Sequence, residues 1–143
     1  MSKRFVMLFL VLLALVACQQ EEELTFPTVK LLNGTQTIEL QAGNYRWTVQ
    51  QGAESRTETT DVASPNERLS IEEAHSFSLN EQTAIQFSQQ PTHYEVHVWD
   101  AERIVASYPT IEEIQEQGTY VIEVVGYWNE TNYMSYTATI HLQ

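Results

Sequence analysis

The chain has 143 residues, 43% of them hydrophobic, which is enough for one domain with a substantial core. Its formal charge of −12 argues against nucleic acid as a partner, because such binding depends on basic patches. There is a single cysteine, so no disulfide can form within the chain and the core alone must hold the fold together.

Residues 1–17 are typical of a bacterial secretory signal peptide. Lys3 and Arg4 precede an unbroken apolar run from Phe5 to Ala17. As a helix this run would measure about 20 Å, too short for a hydrocarbon layer of about 30 Å. We therefore expect export and cleavage rather than a membrane span. The segment carries two basic residues and no acidic one, so the rest of the chain is more acidic still.

The residues at the end of this segment, Leu15-Val16-Ala17-Cys18, resemble the lipobox of bacterial lipoproteins. The resemblance implies that Cys18 is acylated, with palmitate-type chains, and becomes the new N-terminus. Two or more such chains give stable attachment, since each buried methylene contributes about 0.8 kcal/mol. The alternative, a short buried helix with an ordinary core cysteine, would carry polar positions at helical spacing, and this run has none. The expected location is the extracytoplasmic face of the cell membrane.

Residues 18–25 are predicted to form the lipidated N-terminus and an acidic tether, since residues 19–23 contain no apolar side chain. Residues 26–143 are predicted to form one all-β domain of the sandwich type. Short runs of alternating apolar and polar residues, separated by turn formers, are typical of that class.

The first predicted element is a hairpin between Val29–Leu32 and Thr37–Leu40. Asn33-Gly34 lies between the two runs and suits a two-residue turn, because that turn needs positive φ angles. The next strand, 45–49, places Tyr45, Trp47 and Val49 on one face, which is predicted to be buried.

The middle of the chain is more polar. One weak edge strand is expected within residues 50–66. Further strands are predicted by their alternation at Leu69–Ile71, Ala84–Phe87, Tyr94–Trp99 and Ile104–Tyr108.

The last third contains one predicted helical segment and two long strands. Thr110 followed by Glu113 resembles a capping box, and Gly118 could cap the far end, so one or two helical turns are expected. The runs Tyr120–Trp128 and Tyr133–Leu142 are strand-like throughout and are the predicted central strands.

The segment from Glu116 to Ile122 resembles the turn into the sixth strand of an immunoglobulin-like sandwich. In that fold a tyrosine, here Tyr120, hydrogen-bonds back across the corner, and Ile122 stands where many such domains have cysteine. Aromatic and turn positions over most of the chain are also similar to those of small uncharacterised lipoproteins of Gram-positive bacteria. That resemblance implies an immunoglobulin-like fold and an envelope location, and it brings no activity and no functional residue.

Histidines are the first place to look for a metal site. His93 and His97 have the spacing of a zinc motif, but four residues of a strand span roughly 13 Å, so the two rings could not share one ion. His93 with Glu95, or Glu95 with His97, could supply two ligands if a third came from elsewhere. The simpler interpretation is solvated surface residues, and no metal site is predicted.

No catalytic constellation stands out. Lipidation would remove the only thiol, and the sequence has no Gly-x-Ser-x-Gly elbow or glycine-rich phosphate loop. Carboxylate pairs such as Glu72-Glu73, Glu112-Glu113 and Asp100 with Glu102 are too common here to indicate acid/base chemistry. We therefore expect a non-enzymatic protein without a cofactor.

Aromatic residues provide the candidate binding residues. Tyr45, Trp47, Tyr120, Trp128 and Tyr136 fall at predicted core positions. Trp99 shares the face of Glu95 and His97, and Tyr127 shares the face of Glu123, so both are predicted to point away from the core. Exposed aromatic side chains beside polar ones are typical of partner-binding patches, although they also cover sheet edges.

The sequence thus favours a lipid-anchored extracytoplasmic domain that binds a protein or cell-envelope component of unknown identity. The alternative is an accessory or inhibitory lipoprotein that modulates a membrane enzyme or sensor. A metal-binding protein or hydrolase is a weaker alternative.

Overall fold

The computed structural model describes residues 24–70 and 73–143. The predicted signal peptide, Cys18 and most of the tether lie outside these residues. Within them the strands are β1 (Val29–Leu32), β2 (Thr37–Glu39), β3 (Gln41–Gln51), β4 (Glu54–Thr60), β5 (His75–Phe77), β6 (Ala84–Phe87), β7 (His93–Trp99), β8 (Ile104–Tyr108), β9 (Gly118–Tyr127) and β10 (Tyr133–Leu142). Two short 3₁₀ helices, Pro65–Ser70 and Ile111–Glu113, accompany them.

The strands form two sheets. The small sheet has the order β2-β1-β6, and the large sheet has the order β4-β3-β10-β9-β7-β8. All of these pairs are antiparallel. β5 is the exception: it runs parallel to the last residues of β10, beyond the stretch that pairs with β3. The predicted central strands, β9 and β10, do lie in the middle of the large sheet.

The two sheets pack face to face around one apolar core, which confirms an all-β sandwich-like fold. Alternation supplies the core residues, because every second side chain of a strand points to the same face. The small sheet contributes Val29, Leu31, Ile38 and Phe87; the large sheet contributes Val96, Val98, Ile122, Val124, Met134, Tyr136, Ala138 and Ile140.

A row of aromatic rings closes one end of the core. Neighbouring ring centroids are 4.6 to 6.2 Å apart, the spacing of favourable tilted and edge-to-face contacts. The order along the row is Tyr45, Phe26, Trp47, Trp128, Phe87 and Tyr94. Of the predicted core aromatics, Trp47 and Tyr136 are buried, and Tyr45, Tyr120 and Trp128 are partly buried.

Tyr136 joins β10 to the segment that precedes β1. Its side chain is almost completely buried, and its hydroxyl donates a hydrogen bond of 2.8 Å to the carbonyl oxygen of Pro27. Burial raises the pKa of Tyr136 well above its usual value.

The predicted first hairpin is confirmed, but its turn is longer than expected. Leu32 pairs with Thr37, so four residues connect the strands instead of two. Only Gly34 has a positive φ angle, of 88°. Asn33 keeps a negative φ and uses its side chain: Oδ1 accepts from the backbone N–H groups of Thr35 and Gln36. The Asn33 side chain thus forms the turn that we attributed to its backbone.

In the middle of the chain, β4 is the expected edge strand, and β6, β7 and β8 lie close to their predicted positions. The strand predicted at Leu69–Ile71 is wrong for Leu69, which lies in the 3₁₀ helix Pro65–Ser70; Ile71 lies outside the described residues. The helix starts with a hydrogen bond from Glu67 N–H to the Ser64 carbonyl. β5 was not predicted.

The predicted helical segment after Thr110 is reduced to the single 3₁₀ turn Ile111–Glu113. Thr110 bonds the side chain of Glu113 and caps no backbone group, and Gly118 begins β9 instead of ending a helix. Tyr120 packs against the core, but its hydroxyl makes no hydrogen bond to any described residue, so the expected bond across the corner is missing.

Candidate interaction surface

The candidate site is the side of the large sheet that points away from the small sheet, here called the outer face. Since Val96 and Val98 of β7 and Ile122 and Val124 of β9 point into the core, the residues between them point outward. Strand register sets four cross-strand pairs along the outer face: Trp99 with Val121, His97 with Glu123, Glu95 with Val125, and His93 with Tyr127.

Trp99 lies on the outer face with Glu95 and His97. It is half-buried, and its indole Nε1 donates a hydrogen bond of 2.8 Å to Glu123 Oε2. Glu123 is only 8% exposed, so this bond satisfies a carboxylate that has lost most of its water. The bond holds the indole ring against the sheet surface, which makes Trp99 a pre-positioned side chain.

Two exposed apolar side chains of β8 lie next to Trp99. Val98 pairs with Ala106 and Trp99 with Ile104, so the register shifts and Val105 is the extra residue of a β-bulge. Ile104 is 40% exposed and Val105 is 41% exposed. We call Trp99, Ile104 and Val105 the Trp99 patch. It lies where the outer face meets the free edge of β8.

Polar side chains occupy the middle of the outer face. His97 Nδ1 lies 2.8 Å from Ser107 Oγ on β8, and His97 Nε2 lies 3.6 Å from Glu95 Oε2. Glu95 and His97 were one of the two pairs that could supply metal ligands if a third came from elsewhere, and the structure does bring these two side chains together. However, no group of three or more His, Cys, Asp or Glu side chains in the described parts of the chain is arranged to hold a metal ion.

Tyr127 lies at the other end of the outer face. Its ring stacks on His93 at 4.5 Å with an interplanar angle of 6°, and its centroid is 6.3 Å from that of Tyr133. Burial, with the nearby charges of Glu95 and Glu123, raises the pKa of Tyr127. Beside it is an open cleft of about 410 Å³, lined by Thr92, His93, Tyr127, Asn129 and Glu130.

The two candidate partner-binding residues therefore share a face but not a patch. Trp99 and His93 are six residues apart on β7, and His93 is the partner of Tyr127, so about 20 Å separates the two ends. A single ligand would have to follow most of the length of β7 to contact both.

Two of the other acidic pairs each contain one carboxylate that is bonded within its own turn, and the third lies partly outside the described residues. Asp100 Oδ1 accepts from the backbone N–H groups of Glu102 and Arg103 in the turn after β7, and these bonds lower the pKa of Asp100. Glu113 accepts from Thr110. Glu72 is not described. A cleft of about 450 Å³ beside Tyr136 is lined by one carboxylate, Glu39, and no histidine.

Three exposed residues were not predicted from the sequence: Ile104, Val105 and Tyr133. A usable signal was present, because Ile104 and Val105 are adjacent in a short predicted strand. Two neighbouring side chains of a regular strand point to opposite faces, so both could not enter the core.

Comparison with models of known protein families, with curated proteins and with solved structures finds no match to this chain. Within the described residues, no helix has the length and apolar character needed to cross a bilayer.

Proposed function

We propose that this chain is a lipid-anchored extracytoplasmic domain that binds a protein or cell-envelope component through the β7–β8 side of its outer face. The β10 side is covered, since Ser135, Thr137 and Thr139 are at most 4% exposed. The observation that carries the proposal is the Trp99 patch: a half-buried tryptophan held by Glu123, beside two exposed apolar side chains. Rigid aromatic anchors next to apolar surface are characteristic of the residues that dominate binding energy. Anchoring through Cys18 rests on the lipobox resemblance.

The strand order supports an immunoglobulin-like type of sandwich as part of the same proposal. The chain crosses from the small sheet to the large one between β6 and β7, and β8, β7, β9 and β10 are adjacent in the large sheet. This corresponds to the C′-C-F-G order of immunoglobulin variable-type domains. β2 to β5 would then be an insertion between the first two strands of such a domain. Strands D and E would be missing, because in the described parts of the chain only the 3₁₀ turn Ile111–Glu113 lies between β8 and β9.

The test is crosslinking and pull-down of the anchored protein from its own membrane, with the partner quantified by mass spectrometry. Trp99→Ala and Val105→Asp should each reduce the recovered partner by about fivefold or more, since anchor residues cost over 1 kcal/mol when lost. Val62→Asp is the matched control, because Val62 is 38% exposed but lies outside the patch. If Trp99→Ala and Val105→Asp recover as much partner as the Val62→Asp control, the Trp99 patch does not bind the partner.

A further inference from the structure

The four strands at the ends of the two sheets differ in how they are protected against pairing with another chain. β2 and β6, at the ends of the small sheet, have three and four residues. β4, at one end of the large sheet, has seven residues and contains Glu54, Arg56 and Glu58, of which Arg56 and Glu58 form an ion pair. Short length and charged side chains are the usual protections of an edge strand.

β8, at the other end of the large sheet, has neither protection. It has five residues, Ile104-Val105-Ala106-Ser107-Tyr108, without a charged residue or a proline. Ile104 and Val105 are two of the four exposed large hydrophobic residues in the described parts of the chain. As a terminal strand, β8 directs half of its backbone N–H and C=O groups away from the sheet.

The β-bulge does not close this edge. The register shift lies at the start of β8, and Ala106, Ser107 and Tyr108 pair in regular order with Val98, His97 and Val96. The Ser107 to His97 hydrogen bond fixes this regular part to the sheet. The edge is therefore held in extended form before any partner arrives, which lowers the entropy cost of adding a strand.

The charge around β8 indicates the character of the strand that it would accept. Between His93 and Glu116 the chain has six carboxylates and one arginine, Arg103. Arg103 lies beside Asp100, whose pKa it helps to lower. At the far end of β8, Glu116 accepts the hydroxyl of Tyr108 at 2.9 Å. The uncharged edge is thus bordered by acidic groups at both ends.

We propose that β8 accepts an extended segment of a partner protein as an added strand, and that this segment alternates basic and apolar residues. Main-chain hydrogen bonds to β8 supply the pairing, and the Trp99 patch covers the apolar side chains of the added strand. The basic side chains meet the carboxylates that border the edge. The inference rests on the proposed function and specifies how the partner binds.

The experiment uses the probe peptide Lys-Val-Lys-Val-Lys-Val-Lys and measures backbone amide hydrogen exchange of the protein by NMR. Saturating peptide should slow exchange of the outward-pointing amides of β8 by about tenfold and leave the amides of β4 unchanged. Val105→Lys should abolish the effect, because an edge lysine repels the basic strand. Val62→Lys, which adds the same charge elsewhere, should preserve it.

Two further peptides separate strand addition from charge attraction. Lys-Lys-Pro-Pro-Pro-Lys-Lys has the same length and charge, but its consecutive prolines remove N–H donors from both edges, so it cannot pair as a strand and should give no protection of β8. The Glu-Val peptide of the same length should not bind. If β8 shows no protection, or if the proline peptide protects it equally, the strand-addition inference is wrong.

The two proposals can fail separately. Loss of partner capture in Trp99→Ala, without protection of β8 by the Lys-Val peptide, would leave the proposed function standing and overturn strand addition. The opposite result is protection of β8 by the Lys-Val peptide with unchanged partner capture by Trp99→Ala and Val105→Asp. It would support strand addition at β8 and overturn the Trp99 patch as the binding surface.

Discussion

At the scale of single residues, the tryptophans show how the face of a strand decides the role of a side chain. Trp47 points inward, is 7% exposed, and contacts Trp128 edge to face at 5.2 Å. Trp99 points outward, and its indole Nε1 donates one hydrogen bond to Glu123 Oε2, which sets the position of the ring. The first is a packing residue and the second is a positioned surface residue.

Trp47→Ala should lower the free energy of unfolding by about 3 to 5 kcal/mol, because it leaves a cavity in the aromatic row. Trp99→Ala should cost less, about 1 to 3 kcal/mol, because it leaves the Glu123 carboxylate without its donor. Urea unfolding curves of both variants measure the two losses. Equal losses would mean that Trp99 is a core residue, which would remove the main support for the Trp99 patch.

Tyr136 makes the stability of the fold depend on pH in the alkaline range. An unfolded tyrosine loses its proton near pH 10, at about its ordinary pKa, whereas burial raises the pKa of folded Tyr136. The folded state keeps a proton that the unfolded state releases, so stability that is present below about pH 10 is lost as the pH rises further.

Tyr136→Phe should therefore reduce stability at pH 7 by about 1 to 2 kcal/mol, through loss of the bond to Pro27, and weaken the decline above about pH 10. Urea unfolding at pH 7 measures the loss of stability, and urea unfolding at several pH values above about 9.5 measures how steeply stability declines. A decline that is as steep in Tyr136→Phe as in the wild type would show that Tyr136 does not cause it. The raised pKa values of Tyr94, Tyr108 and Tyr127 should leave some decline in the variant.

At the scale of elements, the loop between β1 and β2 depends on one side chain. Asn33 Oδ1 accepts from Thr35 and Gln36, and Asn33 Nδ2 donates to the Ser78 carbonyl at 3.3 Å, which ties the loop to the chain after β5. The hairpin was therefore predictable from the Asn-Gly pair, while its four-residue length depends on these contacts.

Asn33→Ala should destabilise the protein by about 1 to 2 kcal/mol, because it leaves the part-buried backbone N–H groups of Thr35 and Gln36 without their acceptor. Asn33→Asp keeps the acceptor, and its charge strengthens the two N–H bonds, which offsets part of the cost of losing the Ser78 bond and of placing a carboxylate at a buried position. It should therefore cost less than Asn33→Ala. Thermal or urea unfolding of the two variants tests the order. If Asn33→Asp is the more damaging variant, the Ser78 bond, and not the loop acceptor, holds the hairpin.

At the scale of the whole molecule, the lipobox resemblance makes a prediction about Cys18. Cys18→Ser should leave an uncleaved or unanchored precursor, because both acylation and processing require the thiol. Mass spectrometry of the mature wild-type protein should find acyl chains on Cys18, and membrane fractionation should find the variant displaced. A mature protein without acyl chains would show that the lipoprotein prediction is wrong.

The sequence determined the all-β class, most strand positions and the inward or outward direction of many strand residues. These are local properties, because alternation is a pattern along a single strand. Alternation alone predicted that Trp47 points inward and Trp99 outward. It failed at the Pro65–Ser70 helix and at β5, which have no such period: the helix is too short, and β5 is defined by its pairing with β10.

Only the tertiary structure decided which side chains meet. Trp99 and Glu123 are 24 residues apart in sequence, and their hydrogen bond follows from the register of β7 on β9. The exposure of Ile104 and Val105 likewise follows from the bulge and from the position of β8 at the end of the sheet. Pairing between distant strands depends on the packing of the whole core, so a local pattern reveals the strands but not the surface that they build.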